Sequence, residues 1–505
     1  MYPRTAGSIL VLLNLGWAAA FPGAATVSGA SPAGLLAEQI KDRVHHSVRD
    51  LTSPRKESCS VVEFESLAVP ASWNEIWPDA SGREVASVVN AKIWNAAIQA
   101  ALTEHDAAFL PKRDKPYYLN DPIILSSGQR LCADPEAEIR LVPGTNTCMV
   151  RNEHLVSGQE GPIPPDTVPD SNILIEGGVW TTLATTPAQS NGNGQGWPAR
   201  QERSLHCHGV VLFSNVRAAV VRNLTVRQSR AHAVQLSNCS DFLVANITFQ
   251  EHRRDGIHVN GPASYGVIRG VRGVTGDDFV ALNAWDWSNT VPSFGPIHHV
   301  LVDGVFGNAR LNGTDEIRLL PGTKSFADGR KLDCPVADCV FRNLHDICTF
   351  KVYDQPNLEI GRDRDFCDPI GTINNVYFRH LVFNRPGRFQ IAANVAGLAV
   401  DDVQLNFDPA SSNYRSFKLV EIGPMSQTYK IKPEAPSSWV ELFSPDRDVT
   451  VRDFRLTNVR VKGGDGPQPL PNAEIDLVSV TDQKPNPDYP KTTPRGGRGR
   501  AIVIR

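Results

Sequence analysis

Several things are scarce in this sequence. No internal apolar run approaches the roughly 20 residues of a membrane-spanning helix. Positive charge is not in excess: 51 Lys and Arg stand against 54 Asp and Glu, a net charge of -3. The chain therefore lacks the basic footprint of a nucleic-acid binder. Only 21% of residues are charged while 41% are hydrophobic, which excludes a disordered polyelectrolyte. The nine cysteines include no Cys-x-x-Cys pair, so no structural zinc site is expected. Helical periodicity is rare beyond Asn172, and the Leu-x-x-Leu-x-Leu spacing of leucine-rich repeats is missing.

The N-terminus carries what the rest lacks. Arg4 precedes the apolar stretch 9–15, and Ala18, Ala19 and Ala20 follow Trp17 ahead of Phe21. This pattern reads as a secretory signal over residues 1–20, because Gly7, Gly16 and Gly23 disfavour a buried helix. The expected organisation is a leader at 21–60, one long domain at 61–482 and a Pro-, Gly- and Arg-rich disordered tail at 483–505. A secreted, extracellular chain meets oxidising conditions, where Cys132/Cys148 and Cys334/Cys339 are expected to pair. Four sequons, at Asn223, Asn238, Asn246 and Asn312, are compatible with glycosylation. Asn223 and Asn246 also occupy equivalent repeat positions and read as buried Asn stacked along a sheet.

The repeat is the main organising signal. VVRNLTVRQSRAHAVQLSNCSDF aligns with LVANITFQEHRRDGIHVNGPASY and then with GVIRGVRGVTGDDFVALNAWDW. Val234, Ile257 and Val280 recur at steps of 23, and Ile317 and Phe350 continue the column after longer excursions. Units of this length built from two or three short strands predict an all-β solenoid, a right-handed parallel β-helix. Residues 90–105 (NAKIWNAAIQAALTEH) read as an amphipathic helix that caps the open end of the first coil. Residues 191–201 read as an exposed loop.

The same alignment gathers chemistry. His232, Asp255 and Asp278 form one column, Asp277 is adjacent, and Asp315 is a candidate for the next coil. Stacked strands lie about 4.8 Å apart, so these carboxylates crowd together, and burial with like charge raises at least one pKa. That provides an acid and a base in one place, as glycosidic cleavage requires. Asp-Gly and Gly-Asp-Asp are also ordinary turn chemistry, and stacked Asp can bind calcium. Their recurrence in one column favours function. Three places on, Gln235, His258, Ala281, Arg318 and Lys351 form a second column, from which Arg318 and Lys351 are candidates to hold a carboxylate or sugar hydroxyls. EIRLLPGT at 316–323 nearly repeats EIRLVPGT at 138–145, so Arg318 is also readable as a strand–turn device. Trp285 and Trp287 are candidate sugar-stacking rings, and His299 beside His298 is a candidate to tune a carboxylate.

The coils and the Leu-Pro-Lys…Tyr-Tyr-Leu run resemble the pectin lyase-like β-helix superfamily. Asp255-Gly256-Ile257 followed by Gly276-Asp277-Asp278 resembles the paired signatures of the polygalacturonase family of glycoside hydrolases. The resemblance implies an inverting mechanism with Asp278 as general acid and Asp255 and Asp277 activating water. The candidate substrate contacts are His258, Trp285, Trp287, His299, Arg318 and Lys351, of which the resemblance implies Arg318, with Lys351 serving from the next coil in place of the family's Lys. Departures are plain: Arg253-Arg254 stands where the family has Asn-Thr, its Gly-His-Gly is absent, and its Arg-Ile-Lys reads Arg318-Leu319-Leu320. The expectation is a monomeric, metal-independent hydrolase of a polysaccharide or oligosaccharide, with no cofactor and no nucleic-acid or membrane partner. The alternatives are a polysaccharide lyase on the same fold, with Arg318 or Lys351 as base and calcium on the carboxylates, and a glycan-binding β-helix without catalysis.

Overall fold

The computed structural model describes residues 31–53, 58–182 and 209–422, apart from 79–80, 82, 146, 159–160, 162, 230–231, 287–291, 309–314, 327, 354–370 and 410–416. Beyond these it describes the strands 426–430, 439–443, 450–463, 466–469, 478–480, 498–499 and 502–504. The expected signal at 1–20, the loop at 191–201 and most of the tail lie outside the described residues.

Short runs of β-branched residues set the architecture. In Val234–Ser237, Ile257–Asn260 and Asp278–Asn283, alternate side chains point to opposite faces. Val234, Leu236, Ile257, Val259, Val280 and Leu282 all enter one buried cluster. Left-handed residues bend the chain within the longer strands. Asn172, Ala218, Asp241, Tyr265, His299, Asp338 and Asn375, with φ of 50° to 59°, recur once per coil between positions that pair in register. Asn and Asp tolerate that region best, which is why this column is rich in them.

Pairing runs in parallel from coil to coil. Val211, Val234, Ile257, Val280, Ile317, Phe350, Phe389 and Val420 pair in succession, so the expected column is observed and extends at both ends. The result is two long, mainly parallel sheets, of 21 and 11 strands among the described residues. Stacking aligns identical side chains: the Phe350 and Phe389 rings lie 4.3 Å apart at 10°.

Three expectations require correction. Residues 90–93 are not helical. They complete the strand Glu84–Ile93, antiparallel to Val69–Pro78, and the helix is Asn95–His105. The Val-rich run 85–89 extends the strand, whereas the apolar face begins only at Ala97. Ala97, Ile98, Ala101 and Leu102 then pack into the same core as the early strands. The cysteine pairs do not form. Cys132 packs among residues outside the main core, and the Cys334 and Cys339 thiols donate to the carbonyls of Leu332 and Ala337 instead. Asn246 does stack on Asn223, with Nδ2 donating to Oδ1 at 3.0 Å, but both are exposed. Their left-handed φ, 56° and 61°, places them at a corner.

The helix Pro32–Ser47 lies within the segment read as a leader. Ser31 caps it by accepting from Gly34 N, and Pro32 fills the first turn. Ala33, Ala37, Ile40 and Val44 make one apolar stripe, which packs with Val220, Leu243, Val267, Leu301 and Val340 on the outer face of the sheet. Arg43 secures it, bonding Asp241 at 2.8 Å and lying 3.6 Å from the Tyr265 ring centre. No described helix is long and apolar enough to cross a membrane.

Candidate active site

The carboxylates meet where the chain bends into two neighbouring strands. Asp255 lies two residues before Ile257–Asn260, and Asp278 opens Asp278–Asn283. Backbone bonds from Ala233 N to Asp255 O and from Gly256 N to Asp278 O stack this corner. The adjacent glycines are packing requirements. A Cβ on Gly256 would lie 2.6 Å from the Phe249 ring, and one on Gly276 would lie 2.4 Å from Arg253 Cα. Neither is in the left-handed region, so these Asp-Gly and Gly-Asp pairs are not left-handed turns.

Asp255, Asp277 and Asp278 each bring an oxygen within 4.8 Å of the others. Their surroundings then separate them. Asp278 is 0% exposed, and burial pushes its carboxyl up to about 8, with Arg318 opposing and the charges of Asp277 and Asp255 adding to the rise. Arg318 Nε approaches Asp278 Oδ2 to 2.9 Å and Lys351 Nζ approaches Oδ1 to 3.7 Å. Neither Asp278 oxygen has a well-aligned hydrogen bond, so desolvation prevails over these contacts. Asp255, 2% exposed, goes the other way. Burial opposes its ionisation, yet the bond to His258 and the charges of His232, His258 and Arg254 hold it well below the usual carboxylate range. Asp277 is the most exposed of the three and faces Arg254 Nη1 at 2.9 Å and Arg318 Nη2 at 3.6 Å.

His258 is embedded between acids. Its Nδ1 meets Asp255 Oδ2 at 2.5 Å and its Nε2 meets Asp286 Oδ2 at 3.1 Å. Burial favours the neutral ring, but these two bonds prevail and raise its pKa to about 9. The His232 ring stacks on it at 4.2 Å and 9°.

Of the residues singled out in the sequence, His232, Asp255, Asp277, Asp278, His258, Arg318 and Lys351 come together. Others do not. Trp285 is 2% exposed and belongs to the hydrophobic core, so its ring is not a sugar platform. His299 is in the other sheet, at a coil corner against Tyr265 and His298, because its left-handed φ belongs to the bend column. Trp287 lies outside the described residues. His258 is 2% exposed and committed to two carboxylates, which leaves no face for substrate. Asp315 does not continue the column. A register irregularity after Asp278 pairs it with Glu316, while Asp315 accepts from Asn308 N.

Sequence reasoning missed Glu316 and Asp286. Glu316 ion-pairs with Lys351, and burial raises its pKa against that pairing. Its signal was the same strand that identified Arg318. Asp286, 3% exposed, also accepts from Asn283 Nδ2 at 2.6 Å. It follows the strand in an irregular segment where no repeat position marks it.

Two groups have metal-ligand composition: His232, Asp255 and His258, and the Asp255, Asp277 and Asp278 trio. In the first, near-parallel stacked rings cannot both direct a nitrogen lone pair in plane at one ion. In the second, Arg254, Arg318 and Lys351 already supply the countercharge.

No protein-family profile matches the chain. Solved structures are similar to it at low identity. One is PfbA, a surface adhesin of Streptococcus pneumoniae, at 11% identity and TM-score 0.42 over 80% of this chain and 95% of that one. Another is an endo-xylogalacturonan hydrolase from Aspergillus tubingensis, at 14% and 0.39 over 74% and 90%. A third is the A-module of a mannuronan C-5 epimerase from Azotobacter vinelandii, at 12% and 0.42 over 84% and 100%.

Proposed function

We propose that this chain is a secreted glycoside hydrolase on a right-handed parallel β-helix, closed at its N-terminal end by the helix Asn95–His105, with its catalytic domain over 61–482. The observation that carries this reading is the divergence of Asp278 from Asp255, whose oxygens lie within 4.8 Å of each other. Asp278, raised to about 8, holds a proton at neutral pH, while Asp255 is held ionised beside it. Carboxylates pushed apart in pKa are the requirement for acid–base cleavage of a glycosidic bond. Asp278 donates to the leaving oxygen. Asp277, the member that solvent reaches, activates water.

The spacing adds a condition. An inverting pair works across about 6.5–9.5 Å, and these oxygens are closer. Inversion therefore requires Asp277 to swing from Asp278 as substrate enters. The β-elimination reading is weaker, because Arg318 and Lys351 both face acids and neither is poised as a base.

One observation favours the non-catalytic reading: Asp278 and Asp255 are 0% and 2% exposed. Substitution distinguishes the two. Under the hydrolase reading Asp278→Asn abolishes reducing-end release from a polysaccharide panel and preserves binding. Under the binding reading no polysaccharide yields reducing ends, even with wild-type protein. Product absorbance from an unsaturated uronate would support elimination instead.

A further inference from the structure

A cavity of about 660 Å³ opens where the hairpin Val69–Pro78/Glu84–Ile93 joins the first coils. It lies about five coils from the carboxylates, roughly 24 Å along the stack at about 4.8 Å per strand. Its walls carry three cations, Lys92, Arg113 and Lys115, and one acid, Glu65. Glu65 Oε1 meets Lys92 Nζ at 3.0 Å and Arg113 Nη2 only at 3.9 Å, so one carboxylate is shared by two cations. Lys115 has no ion-pair partner among the described residues.

Arg113 is the distinctive feature. Its guanidinium lies 4.2 Å from the Trp94 ring centre and 5.1 Å from that of Tyr117, which fixes the plane of the group. Its nearest acid is Glu65, which approaches Nη2 only to 3.9 Å and is held closer by Lys92. A cation paired this loosely keeps capacity for charge-assisted hydrogen bonds to an anion. A fixed planar fork also loses little freedom on binding.

We propose that this cavity is a binding site for the carboxylate of an acidic sugar, with Arg113 as its fork and Lys115 and Lys92 as supporting charge. The volume suits a ligand of one or two sugar rings. That the carboxylate is a sugar's rests on the glycan reading above, whereas the anion site rests on Arg113 and the charge balance alone.

Calorimetric titration of the full chain with sodium glucuronate, with glucose and with sodium sulfate tests this. Glucuronate is expected to bind and glucose not to. Asp278→Asn should bind glucuronate as wild type does, which separates failure here from failure of the hydrolase reading. Arg113→Gln should weaken binding at least tenfold, with circular dichroism checking its fold. Lys115→Ala, an exposed change, should weaken it severalfold and keeps the test open if Arg113→Gln misfolds. Equal binding of glucuronate and glucose, unchanged affinity in Lys115→Ala, or binding of sulfate alone would overturn the proposal.

Discussion

At the scale of single residues, the question is which carboxyl keeps its proton. Asp278 does, because it is fully buried and faces other acids, and the cations near it do not align well enough to reverse that. Asp278→Asn keeps the shape without the proton and should lower turnover by about 10²–10⁴-fold, the usual contribution of a positioned acid. Its dissociation constant for substrate should barely move, as measured by titration. The wild-type rate should fall as pH rises through about 8, where Asp278 ionises. The profile belongs to the coupled cluster rather than to one group.

His258 makes a second residue-scale prediction. Its pKa rises from 6.5 to about 9 on folding. The stabilisation it gives is therefore full below 6.5 and is lost as pH rises through 9. Asp278, raised from 3.8 to about 8, acts in the same direction, since its folded form favours the proton. Thermal melts should accordingly show the wild type losing stability as pH rises from about 4 to 9, most steeply between about 6.5 and 8, where both groups contribute. His258→Gln, which cannot be charged, should melt lower at pH 6 and decline less steeply with pH. An equal slope in both proteins would remove His258 from this account.

At the scale of elements, the strand columns were legible and the bends were not. Val234, Ile257 and Val280 stand at equal steps because each faces the core of its own coil. A periodic constraint on burial leaves a periodic trace in the residues. The same register located Asp255 and Asp278 beside each other, and Arg318 beside Lys351. Trp285 was misread because alternation says which strand residues share a face, and the chain has left the strand Asp278–Asn283 by that point. Asp286 depends on irregular backbone, which carries no periodic signature, and His299 on a left-handed column that recurs in register but is filled by mixed residue types, Asn, Ala, Asp, Tyr and His. The helix Pro32–Ser47 was hidden by its Ala-rich face, yet Ile40 and Val44 are fully buried against the sheet. Ile40→Ala should cost about 2–5 kcal/mol, the usual range for removing a buried aliphatic side chain, measured by denaturant unfolding. It should leave the pH profile unchanged, since the helix packs on the outer face of the sheet.

For the whole molecule, long parallel sheets give the carboxylates their spacing. Stacking sets the separation of neighbouring coils, and only a change in the side chains or in the corner backbone can widen it. The account therefore places the chemistry in one stacked corner, where an acid that holds its proton stands over an ionised neighbour. The measurement that tests this most directly is reducing-end release across a panel of plant and microbial polysaccharides, by wild type and by Asp278→Asn, from pH 4 to 9. The account predicts release from at least one polysaccharide by the wild type, falling away above about pH 8, and next to none from Asp278→Asn across the range. Release by Asp278→Asn comparable to wild type, or a rate that does not fall as pH passes 8, would contradict it.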